Sequence, residues 1–187
     1  MKETFSHIIL MKVGPYCGYS LDEIIKIKQK EEKDVGMYFW GYSGVFCRPM
    51  VIKNLVSREK NQDIKVLFVE TKSDFGPTKV DKFEKYSEDS GEWKLLPSNV
   101  LLVGNKAKPH FAITAKNLRE VNIELDLSQY CTLKGIFPND NQRFDEYFRY
   151  RVDKACGIFV PNNGVDKKKI TIKYISELVP PYAVSIG

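Results

Sequence analysis

The stretch FSHIILMKV (Phe5–Val13), stopped by Gly14-Pro15 and followed by SLDEIIKIKQKEEKDVG (Ser20–Gly36) and MYFWGY (Met37–Tyr42), decides the fold. A near-continuous apolar run of this length, closed by Gly-Pro, reads as a buried strand. Ser20 with Glu23 three residues later forms a capping box, so a helix opens at Leu21. Leu21, Ile24, Ile25 and Lys28 follow the i, i+3, i+4, i+7 spacing of one helix face, with the Lys stem covering the stripe's edge. The mixed Lys and Glu run Lys26–Lys33 reads as the solvated face of that helix. Gly36 ends it, and Met37–Tyr42 reads as an aromatic strand.

Working outward, Pro49 suits the first turn of a short helix carrying Met50, Ile52, Leu55 and Val56. Asp63–Glu70 is rich in β-branched and apolar residues and reads as a strand. Residues 71–93 contain Gly76-Pro77, Ser87–Gly91 and many charges, and read as a long polar excursion with one polar helix. Strands are predicted at Asn99–Val103, His110–Ala115 and Val121–Leu127. A helix is predicted over Asn141–Ala155, with Phe144, Phe148, Val152 and Ala155 inward. Gly157–Val160 and Ile170–Leu178 read as a final strand pair around the Asn163-Gly164 turn. The expectation is an α+β fold: a single domain over residues 1–187, with a mixed β-sheet of about seven strands and three main helices.

With 187 residues, 43% hydrophobic and 28% charged, the chain can build one sizeable core without disulfides. Its longest aliphatic runs fall far short of the ~20 residues that span a bilayer. No basic, apolar and cleavage-site triplet precedes the first strand, so a cytoplasmic protein is expected. Cys17, Cys47, Cys131 and Cys156 include no C-x-x-C pair and read as thiols packed like small hydrophobes, with no metal site. A net charge of +5 permits a nucleic-acid partner without requiring one.

Three stretches suggest binding. In a strand over Met37–Tyr42, Tyr38, Trp40 and Tyr42 share one face and Met37 and Phe39 the other, and one of these faces belongs to the core. Together with Arg48 the first face offers a stacking surface for bases and a cation for phosphate. On the helix predicted at Asn141–Ala155, Arg143, Tyr147, Tyr150, Arg151 and Lys154 make a basic face with tyrosines interleaved. Gly18, Tyr19 and Ser20 lead into the first helix, where free N–H groups and the dipole favour an anion. The Walker A and G-x-G-x-x-G patterns are both absent. These stretches lead to the expectation of a binding protein for a phosphate-bearing ligand, nucleic acid or nucleotide, with no cofactor. The same Tyr, Trp and Arg residues would serve a protein–protein interaction or inhibitor module.

Enzyme readings are weaker. Val66-Leu67-Phe68-Val69-Glu70-Thr71-Lys72 resembles the catalytic strand of PD-(D/E)xK nucleases. The resemblance implies that Glu70 and a second carboxylate hold Mg²⁺ while Lys72 assists an attacking water. Asp63, however, stands on the same strand, about 23 Å away in an extended chain, where the family places its Asp on a neighbouring strand. His7 and His110 sit in apolar strand contexts, but Ile9 and Ala112 stand where two-histidine phosphoesterases carry Thr or Ser. Both histidines therefore read as core or strand-edge residues. Without a complete catalytic set, a binding protein is favoured over an enzyme.

Overall fold

Ile8, Ile9 and Leu10 are sealed from solvent because β1 (Ile8–Val13) lies inside a sheet. The computed structural model describes residues 5–43, 47–58, 63–71, 80–126, 129–132, 156–161 and 169–187. After β1 come α1 (Leu21–Val35), β2 (Tyr38–Tyr42), α2 (Pro49–Arg58) and β3 (Lys65–Glu70). Short strands β4 (Asp81–Lys82), β5 (Lys85–Ser87), β6 (Lys94–Leu95) and β7 (Val103–Gly104) precede the long β8 (His110–Asp126). β9 (Tyr130–Thr132), β10 (Cys156–Pro161) and the long β11 (Lys169–Ile186) complete the order.

The main sheet runs β2-β8-β11-β3-β1-β10-β9, with β5 joined to the end of β11 and β6 to β5. It is mixed: β1 and β3 are parallel, from Ile8↔Lys65 to Val13↔Glu70, and the other pairings are antiparallel. The α+β class and a mixed sheet with seven strands along its main path agree with the sequence reading. Two helices fall among the described residues. The expected third, Asn141–Ala155, lies outside them, as does the Asn163-Gly164 turn.

Both ends of α1 obey local chemistry. The Ser20 side chain accepts from the Glu23 N–H, and the Glu23 carboxylate accepts from the Ser20 N–H at 2.7 Å. Gly36 closes the helix in the left-handed region, at φ 86°, where a side chain would be strained. The solvated face expected for Lys26–Lys33 holds at Lys26, Gln29, Lys30 and Lys33 and is corrected at two positions. Lys28 and Glu31 are buried, 5% and 1% exposed, and joined at 2.7 Å. Lys28 also donates to the Leu101 carbonyl, while Glu31 accepts from the Leu101 and Phe39 N–H groups. Glu32 takes the N–H groups of Asn117 and Leu118 in β8. These polar side chains clamp the helix to backbone that would otherwise lack partners.

β8 and β11 carry the bends. The two strands predicted at His110–Ala115 and Val121–Leu127 are one strand, and the polar break between them is a bulge. Lys116 pairs with Glu177 and Arg119 with Ile175, so Asn117 and Leu118 oppose Ser176 alone. Asn117 adopts φ 58° there and donates its side-chain amide to Glu177. A larger register shift separates Leu178 from Ala183. These irregularities let the sheet curl. In a flat sheet β2 and β3, three spacings apart, would lie about 14 Å from one another. The Trp40 and Phe68 rings on them instead have centroids 4.8 Å apart.

One apolar cluster joins α1 and α2 to the sheet through Ile9, Phe68, Trp40, Ile52 and Leu55. Two others occupy the opposite sides of the strands. One gathers Ile8, Leu10, Leu67 and Ile172, and the other Phe39, Phe83, Leu102, Ala112 and Val184. The latter corrects the reading of residues 71–93. Among the described residues, 80–93 contain no helix, and Phe83 and the partly buried Tyr86 belong to a packed layer over β2 and β8. Of the strand predicted at Asn99–Val103, only its last residue is in a strand, β7. The final strand pair is also corrected: β10 and β11 are separated by β1 and β3.

Candidate functional site

Past the end of β1 the chain makes a tight turn at Tyr16-Cys17-Gly18-Tyr19. The Tyr16 and Tyr19 N–H groups each donate to the other's carbonyl, at 2.9 and 3.0 Å. Cys17 and Gly18 both have positive φ, 53° and 82°, which marks a type I′ turn and explains a glycine at the second position. A reciprocally bonded pair puts its two side chains on the same side, so Tyr16 and Tyr19 stand together. Both line a cavity of about 380 Å³.

The rest of its wall comes from distant sequence. The end of β1 supplies Lys12, α1 supplies Lys28, and the end of β2 supplies Trp40 and Tyr42. The segment entering β8 supplies Asn105, Lys108 and His110. The described lining therefore holds three lysines and no Asp or Glu. Glu31 sits behind Lys28 and is spent on it. Burial pulls the Lys28 ammonium below the ordinary lysine range and pushes the Glu31 carboxyl up, each opposed by the other's charge. Tyr16 is pushed up to about 12, mainly by burial and then by Cys17, so it acts as a neutral phenol.

Two stretches singled out in the sequence converge here. Tyr19 of the expected cradle and Trp40 and Tyr42 of the aromatic strand share this one cavity. Two of the cradle's backbone donors, however, the Ser20 and Glu23 N–H groups, are occupied within the chain, since Ser20 and Glu23 cap each other. Gly18 shapes the turn and is not in the lining. Tyr38 is fully buried, donating to Ser176 Oγ at 2.6 Å with its ring edge-on to Trp40. It stands in the core that supports the wall. Trp40 is 9% exposed, and Tyr42 is half-buried and donates to the Cys47 carbonyl. Both faces of β2 are thus covered, because the layer containing Phe83 packs on the Phe39 side. Arg48 is exposed beside α2 and does not line the cavity. Arg143, Tyr147, Tyr150, Arg151 and Lys154 lie outside the described residues.

Glu70 is bound to Lys173 at 2.9 Å and Asp63 to Lys65 at 2.5 Å, at opposite ends of β3. Lys72 lies outside the described residues. Among the described residues, no group of three His, Cys, Asp or Glu is placed to hold a metal ion. Cys47 is a buried free cysteine. No helix among the described residues is long and apolar enough to cross a membrane.

Lys28, Lys108 and His110 were not picked out as ligand-binding residues from the sequence. Lys28 did leave a signal, a lysine at a stripe position where an apolar residue belongs. Lys108 and His110 left none, because the loop that brings them to β2 has no periodicity. Compared with protein-family models, curated proteins and solved structures, the chain matches none of them.

Proposed function

We propose that the protein binds a small phosphate-bearing ligand, a nucleotide rather than a long nucleic acid, in the cavity between α1 and β2. One observation carries the reading: four aromatic residues and three lysines line a single recess whose described wall holds no carboxylate. Aromatic side chains stack on a base for ~1–3 kcal/mol, and lysines favour the phosphate. The volume of about 380 Å³ lies within the range of small-ligand pockets. An extended strand would need an open groove.

Trp40 provides the probe. In a Trp93→Phe background, its fluorescence is titrated with the nucleoside monophosphates and a short single-stranded oligonucleotide, at low and high salt. The reading expects a saturable change with a mononucleotide, weaker at high salt and about tenfold or more weaker in Trp40→Ala, followed calorimetrically. No response to any nucleotide, together with a bare protein in native mass spectrometry, would overturn it. Salt-insensitive capture of a protein in place of a nucleotide would favour the interaction module.

A further inference from the structure

His110 is held more firmly than packing requires and left half-satisfied. Its Nδ1 lies 2.8 Å from the Lys108 carbonyl. A carbonyl only accepts, so Nδ1 carries the hydrogen, and in the neutral ring Nε2 is left as a lone-pair acceptor. Phe83 packs on the ring, with centroids 4.9 Å apart at 39°. Gly104 leaves it room: a Cβ there would stand 2.8 Å from Nε2 and 3.1 Å from Phe83. The tautomer, tilt and position of the imidazole are thereby set by backbone and core.

Nε2 has no hydrogen-bond partner among the described residues, although the residue is only 8% exposed. It is also not one of the sealed, partnerless polar atoms. His110 is among the residues that line the cavity, on the Phe83 side of β8. Buried polar groups are nearly always paired, and an exception calls for an explanation.

We infer that His110 Nε2 is a specificity element that accepts a hydrogen bond from an N–H or O–H group of the ligand, so the cavity selects nucleotides presenting a donor at that point. The inference rests on the nucleotide reading above and adds what that reading leaves open, which nucleotides are chosen. Three kinds of ligand group carry the required donor: an exocyclic base amine, the ring N–H of an oxo base and a ribose hydroxyl. A ligand that turns an acceptor toward Nε2 sets two lone pairs against each other and loses the bond.

The test compares wild-type protein and His110→Phe, which keeps an aromatic ring and lacks the acceptor, with folding checked by circular dichroism. Adenosine and inosine monophosphates differ in an exocyclic amine against a carbonyl with a ring N–H beside it, and cytidine and uridine monophosphates do the same for pyrimidines. Ribo and 2′-deoxyribo forms separate the sugar from the base. Wild type should prefer one member of one comparison by about tenfold, the worth of one such bond, and His110→Phe should lose that preference. Preference for the amino member assigns the exocyclic amine, preference for the oxo member assigns the ring N–H, and preference for the ribo form assigns the sugar.

A second measurement does not depend on the variant. The ¹⁵N spectrum of His110 should show a protonated Nδ1 and an unprotonated Nε2, with the Nε2 resonance moving when the preferred nucleotide binds. If nucleotides bind but no comparison discriminates and Nε2 stays still, the inference is overturned and the nucleotide reading stands. If no nucleotide binds, the function reading itself falls.

Discussion

Replacing Lys28 by Met would leave the Glu31 carboxylate buried without its cation, though still holding the Leu101 and Phe39 N–H groups. Removing one partner of a buried pair costs about 3–5 kcal/mol, mostly from the charge left behind. Urea denaturation of Lys28→Met should show a loss of that size, and Glu31→Ala a comparable one. The double variant should cost clearly less than the sum, since each substitution removes the same interaction. A surface pair would give ~0–1 kcal/mol and near-additive losses. The sequence displayed both residues but not their environment. A Lys-Glu pair at i, i+3 is the commonest dress of a solvated helix, and burial depended on a loop some seventy residues away.

At the scale of elements, the capping box predicts a local effect. Ser20→Ala should lower stability by about 1 kcal/mol in urea denaturation and leave the three-dimensional contacts of α1 in place. The β8 bulge predicts a pH effect. The Asn117 amide, and then the Lys65 ammonium, hold the Glu177 carboxyl below its ordinary value of 4.5. A carboxylate with a lowered folded pKa stabilises the protein above its unfolded pKa, and that contribution is lost as pH falls through the folded value. Glu177→Gln should therefore melt below wild type at neutral pH, with the difference in Tm closing below pH 4.5. A constant gap across that range would separate the bulge from the carboxylate. Helix ends were legible because capping is encoded within four residues. The bulge was not: Lys116 and Asn117 interrupt an apolar pattern as a loop would, and the opposing strand lies some sixty residues further on.

For the molecule as a whole, the layer over β2 and β8 makes a prediction that a polar loop would not. Phe83 is almost fully buried beside His110 and Leu102. Phe83→Ala should cost about 3–5 kcal/mol in equilibrium unfolding, against within about 0.5 kcal/mol for an exposed position. Because the same ring supports His110, the variant should also weaken nucleotide binding under conditions where it stays folded.

The sequence by itself determined the α+β class, the first strand and helix with both helix ends, the second helix and the β3 core strand. Each of these rests on local terms: apolar period, capping side chains and the fixed φ of proline. Tertiary structure alone decided strand order, the burial of Lys28 and Glu31, and the packing of Phe83. It also decided that Tyr38 supports a wall while Trp40 and Tyr42 line it. A strand's pattern says how much of it is covered and is silent about its neighbours. Here the bulged, curled pair β8 and β11 brings β2 against β1 and α1, and that long-range closure makes the cavity.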